Sequence, residues 1–201
     1  MSEISIELYP FEERVNVLTH FPGIIMGAAA TTMLLLKPEL STIQILGYLV
    51  YGASFVALFC ASSVYHFARP ENHKQFFKKV DHAAIYVFMG GCYTPFVLIN
   101  MQGPFKYPFL ALVWAIVCTG VLYKFKSKYK KRGMSLALYL FFGFMCFLVK
   151  ADFLDQIPTE SFRALALGGA FYVTGVFFYV VRRIPYHHGI WHLFVLAGAA
   201  C

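Results

Sequence analysis

The sequence predicts an all-α membrane protein: a bundle of seven transmembrane helices with a cytoplasmic N-terminus and an outside C-terminus. Three observations lead there. Of 201 residues, 59% are hydrophobic and only 13% are charged, whereas a soluble domain carries about 25% charged residues. Long apolar runs recur at roughly 25–30-residue intervals from end to end, the spacing of successive spans and short loops. The basic residues between those runs fall mostly on alternate loops.

The runs place helices at roughly 17–36, 43–66, 82–100, 108–123, 134–150, 162–181 and 186–201. The first follows an acidic stretch (Glu12, Glu13) and lacks a basic leader and a small-residue cleavage site. It reads as a span behind a cytoplasmic segment, residues 1–16, and not as a signal peptide. Gly23 and Gly27 form a GxxxG in this first run, Gly90-Gly91 lie in the third and Gly168-Gly169 in the sixth. Small residues let helix backbones approach, and packing within the chain is favoured over dimerisation here. Pro95 should kink the third helix. The fourth and fifth runs are slightly short for a hydrocarbon core of about 30 Å, and aromatic and lysine ends extend them. The seventh run reaches Cys201 still apolar. It is expected to continue beyond that residue, with residues 1–201 forming one membrane domain.

Orientation follows from charge. With the N-terminus inside, the inner segments carry thirteen Lys and Arg: Arg14, Arg69, Lys74, Lys78, Lys79, Lys124, Lys126, Lys128, Lys130, Lys131, Arg132, Arg182 and Arg183. The outer loops carry four, Lys37, Lys106, Lys150 and Arg163. That asymmetry is the positive-inside pattern. It also accounts for the net charge of +7 without a nucleic-acid partner. The five cysteines are scattered singly in apolar runs and read as small buried hydrophobes, not a disulfide framework.

Ionisable residues inside a membrane are costly and demand a reason. His188 and His192 stand at i and i+4 in the seventh run, on one helix face and about 6 Å apart along the axis. They suit either a shared metal ion or a hydrogen-bonded proton relay. His66 ends the second run with Ser62 one turn above it, and Asp81 and His82 open the third. All lie within about two helical turns of the cytoplasmic side. Three imidazoles (His66, His188, His192) with water as a fourth ligand make the open pattern of a catalytic zinc. Such a metal brings the pKa of bound water to about 7. Asp81 is then a direct ligand or the carboxylate that holds the water and takes its proton. Ser62 either donates to a substrate carbonyl or bonds back to its own helix. Asn16 and His20, also i and i+4, either hydrogen-bond between helices or line the mouth of the metal cavity. His82 is expected to serve helix packing or a carbonyl, His187 to be interfacial and His73 to be solvated.

The joint pattern resembles the bacterial haemolysin III family. It comprises Glu12-Glu-Arg-Val-Asn16-Val-Leu-Thr-His20, Ser62-Ser-Val-Tyr-His66, Asp81-His82-Ala-Ala-Ile-Tyr with Gly91-Cys-Tyr-Thr-Pro95, and Arg183-Ile-Pro-Tyr-His-His188-Gly-Ile-Trp-His192-Leu-Phe-Val-Leu. The likeness runs from about residue 12 to the end. That family groups with the progestin and adipoQ receptors, which include the adiponectin receptors, and more distantly with alkaline ceramidases. The resemblance implies seven helices with the N-terminus inside and zinc held by His66, His188 and His192. It implies that Asp81 acts through a water with Ser62 close by. It further implies residence in the bacterial plasma membrane.

Three functions compete on this evidence. One is a zinc hydrolase of lipid amide or ester bonds, with membrane lipid as substrate. Another is a non-enzymatic sensor or regulator of membrane energetics or fluidity, in which zinc braces the helices. The third is a cytolysin, against which seven hydrophobic spans argue.

Overall fold

A computed structural model describes residues 3–69, 71–126, 132–146 and 156–201. Seven helices make up the described chain: α1 (Glu3–Leu35), α2 (Thr42–Phe67), α3 (Glu71–Asn100), α4 (Lys106–Lys126), α5 (Arg132–Phe144), α6 (Thr159–Val180) and α7 (His187–Ala200). Among the described residues there is no β-strand. The helix order is the expected one, and two starts differ. α1 is helical from Glu3, so residues 3–16 of the expected cytoplasmic segment form the first turns of the first helix. α3 begins at Glu71, so Asp81 and His82 lie well inside that helix and do not open it. The early turns of α3 are mostly polar and those of α1 mix acidic with apolar residues, and a helix outside the hydrocarbon satisfies its backbone internally without needing an unbroken apolar run. The expected extension of the fifth helix to residue 150, with Lys150 itself, lies outside the described residues, as do Lys128, Lys130 and Lys131.

Five helices are long and apolar enough to cross a membrane: Phe11–Leu35, Thr42–Phe67, His73–Asn100, Lys106–Lys126 and Thr159–Val180. α5 and α7 have 13 and 14 residues, which rise only about 20 Å. The outward faces are those of a protein solvated by lipid. Leu18, Ile25, Met33, Leu112, Leu167 and Phe177 are all more than half exposed, a density of bare apolar side chains that water does not tolerate.

Neighbouring helices pack in chain order from α1 to α4; α6 packs on α7, and α7 returns against α1. Glycine sets the closest approaches. A Cβ on Gly23 or Gly27 would strike the rings of Phe59 and Phe55 on α2, so the GxxxG serves the α1–α2 contact. Gly91 faces Ser54 of α2, and Gly168 lies against the Gly198 carbonyl of α7. Gly169 faces open space and brings no helix closer. α3 runs through Pro95 as one helix, with Gly47 of α2 packed on the proline.

Two apolar cores fill the bundle. Tyr86, Tyr93, Val97, Phe109, Val113 and Phe142 join α3, α4 and α5. Phe55, Phe59, Ala84, Phe88, Val195 and Ala199 join α2, α3 and α7. Local signals set the ends. Ser41 caps α2 in a reciprocal box with Gln44: the Gln44 N–H donates to Ser41 Oγ, and the Ser41 N–H to Gln44 Oε1. Tyr186 precedes α7 with φ 56°, a left-handed conformation that is unusual for an aromatic residue. It turns the chain sharply, so that α7 opens on His187 and His188.

Candidate metal centre

α1 and α2 run antiparallel, as do α2 and α3, so the start of α1, the end of α2 and the first turns of α3 meet at one end of the bundle. α7 begins at the same end: Gly189, near its start, lies against Val15 and Asn16 of α1. This topology collects His66, His188 and His192 although 122 residues separate the first two. The ring centroids lie 5.1 Å apart for His66 and His188, 5.0 Å for His66 and His192, and 4.5 Å for His188 and His192. One nitrogen from each ring lies within 4.8 Å of the other two, and the set could hold a metal ion.

The surroundings suit a ligand role. His66 Nε2 is buried with no hydrogen-bond partner, a loss of a kilocalorie or more per mole unless something binds there. Its other nitrogen, Nδ1, donates to Glu13 Oε2 at 2.6 Å. His192 Nδ1 donates to the Asn16 carbonyl at 3.1 Å and lies 3.2 Å from Thr19 Oγ1. A carbonyl only accepts, so Nδ1 carries the proton and Nε2 keeps its lone pair. An imidazole held at one nitrogen by a carboxylate or carbonyl, with the other free, is the usual state of a metal-binding histidine. The donor set of three neutral imidazoles suits zinc.

The remaining predicted residues fall around this triad. Ser62 is fully buried, and its hydroxyl does not bond back to its helix. It lies beside the Asp81 carboxyl, which is also close enough to His66 to interact with it electrostatically. Asp81 is itself largely enclosed, with 14% of its side chain exposed. Asn16 and His20 both reach the ligands. The Asn16 amide nitrogen is 3.4 Å from His66 Nδ1. The His20 ring stacks on that of His192 at 3.6 Å and meets Phe59 edge-on at 4.8 Å. Both His20 nitrogens are buried and unpartnered. His82 Nδ1 donates to the Lys78 carbonyl at 2.6 Å and lies 3.7 Å from Asp81 Oδ2. His187 donates to the Phe178 carbonyl at 3.2 Å, and His73 is exposed.

Glu13 was not among the residues expected in the site. It is 8% exposed, and its second oxygen accepts from Lys74 Nζ at 2.6 Å. The signal was present in the sequence: Glu13, Asn16 and His20 stand at i, i+3 and i+7, a polar stripe on one helix face.

Fold and site together define a helical membrane protein with a buried three-histidine cluster able to hold a metal at one end of its bundle. The comparisons agree with that class. Residues 8–201 match the model of the haemolysin-III related family. The chain is 31% identical to a hemolysin-3 homolog of Bacillus subtilis (strain 168), over 94% of its own length and 90% of that protein's. It is 30% identical to hemolysin-3 of Bacillus cereus, covering 94% and 87%. It is also 30% identical to the human monocyte to macrophage differentiation factor, covering 94% and 81%. The chain belongs to the haemolysin-III related family.

Proposed function

We propose that this protein is a zinc-dependent hydrolase of lipid amide or ester bonds in a bacterial plasma membrane. In this reading all seven helices span the bilayer, with the N-terminus in the cytoplasm. The observation that carries the proposal is the triad of His66, His188 and His192 with a fully buried serine and an enclosed aspartate beside it. A helix brace alone needs the histidines; it gives no reason to bury Ser62 and Asp81 at the same depth.

The three imidazoles would hold the ion. Zinc bound at such a centre supplies Lewis acidity, polarising a carbonyl and acidifying water. The chain's own residues do the rest. Asp81 accepts a proton from the attacking water and later returns it to the leaving amine or alcohol. Water adds to the carbonyl carbon, the carbon–nitrogen or carbon–oxygen bond breaks, and a carboxylic acid leaves. Ser62 donates to the oxygen on which charge develops, where a low-dielectric setting makes the donation worth most. The apolar walls hold acyl chains and keep bulk water out. A cleft of about 310 Å³ is lined by Gly133 and Leu136 of α5, Tyr179 and Val180 of α6, and Arg182. The Tyr179 ring lies 6.5 Å from that of His188.

The test is turnover of a panel of acylated amides and esters in detergent micelles by zinc-loaded protein. Release of fatty acid that Asp81→Asn abolishes, with zinc retained, is the expected result. A second reading has its own support: Glu13 and the triad tie α1, α2, α3 and α7 into one polar knot. That arrangement suits a membrane regulator braced by metal. Wild-type protein that binds zinc and turns over no acylated lipid, with Asp81→Asn indistinguishable from it, would decide for the brace.

A further inference from the structure

We infer that Glu13 is a positioning residue of the metal centre, one that orients His66 and holds its proton on Nδ1. The inference rests on the metal reading above and adds a carboxylate that neither that reading nor any comparison assigns. Three observations converge. Glu13 Oε2 lies 2.6 Å from His66 Nδ1, the range of a charge-assisted hydrogen bond. A carboxylate only accepts, so this contact puts the imidazole proton on Nδ1 and turns the lone pair of Nε2 inward. Nε2 is the nitrogen left buried and unpartnered.

A second contact fixes the carboxylate itself. Lys74, from the early turns of α3, donates to Glu13 Oε1 at 2.6 Å. The two oxygens therefore have separate tasks, one for His66 and one for Lys74, and the carboxylate plane cannot turn without breaking one bond. The group is enclosed: side-chain exposures are 3% for His66, 10% for Glu13 and 13% for Lys74. Lys74 occupies the oxygen that His66 does not use, and the Glu13–His66 bond itself keeps His66 in the ligand tautomer. His192 obtains the same service from the Asn16 carbonyl, so a single face of α1 orients ligands on both α2 and α7.

The experiment compares Glu13→Gln with Lys74→Met by zinc affinity. Metal-free protein in detergent is titrated with zinc against a chromophoric chelator, and size-exclusion profiles and metal-free melting temperatures are recorded in parallel. Both substitutions break the Glu13–Lys74 pair, but only Glu13→Gln removes the carboxylate from His66. Loss of a carboxylate partner of a metal-bound histidine weakens binding by about 10- to 100-fold. Glu13→Gln is expected to lose about tenfold or more, while Lys74→Met stays within about threefold of the wild type, below that range. Equal affinity in Glu13→Gln and wild type, or equal losses in the two variants, would overturn the inference. If Glu13→Gln does not fold, Glu13→Asp replaces it. A shortened carboxylate withdraws from His66, and an unchanged zinc affinity in that variant overturns the inference equally. Wild-type protein that takes up no zinc would instead sink the metal reading itself.

Discussion

His66 has two nitrogens in different situations, and most of the site's chemistry follows from that. One nitrogen is committed to Glu13, and the other is buried with nothing to bond. Removing a ligand should therefore cost metal first. His188→Ala is expected to fall from about one zinc per chain to near none, because two imidazoles leave a site short of its usual coordination. Elemental analysis of the purified protein checks this. Asp81→Asn should keep the zinc and lose roughly 10²- to 10⁴-fold in turnover, the usual worth of a general base. The His66, His188 and His192 set was legible because ionisable groups stand out against an apolar background. Glu13 was not, because it precedes the apolar run and reads as surface. Its burial exists only once α1 lies against α2 and α3.

Among the helices, the apolar runs locate the spans and the polar turns escape them. Hydropathy reports which residues meet lipid, not where a helix begins. α1 and α3 therefore start earlier than their apolar stretches, and those extra turns supply Glu13 and Lys74. Glycine spacing was similarly half-legible. Gly91 and Gly169 look alike in sequence, yet the first faces Ser54 and the second faces nothing. Gly91→Val should force α2 and α3 apart at about 1–3 kcal/mol, seen as a lower melting temperature and an aggregated fraction in detergent. Gly169→Ala should leave both unchanged, or gain slightly from helix propensity.

For the molecule as a whole, a metal held by the triad would be linked to stability. A ligand at 100 times its dissociation constant adds about 2.7 kcal/mol to the folded state. Saturating zinc should therefore raise the melting temperature of wild-type protein, chelator should reverse it, and His188→Ala should respond to neither. The orientation drawn from loop charge has its own check. With the native cysteines replaced, a cysteine at Gln102 should react with a membrane-impermeant maleimide on intact cells, whereas one at Arg182 should react only after permeabilisation. The reverse pattern would invert the bundle. Charge asymmetry was plain in the sequence because it is additive over loops. The closing of α7 onto α1 was not, since it depends on contacts between the two ends of the chain.

That closure has a consequence in time. A ribosome delivers His66 long before His188 and His192, and the α1 face that orients them is made first of all. For most of synthesis the chain carries one ligand and its supports with no centre to complete. Any metal the triad takes up would thus wait on the last helix, and a chain that stops short of α7 lacks His188 and His192. Zinc occupancy in a membrane extract would therefore count finished molecules, separating them from truncated ones that carry the same first six helices.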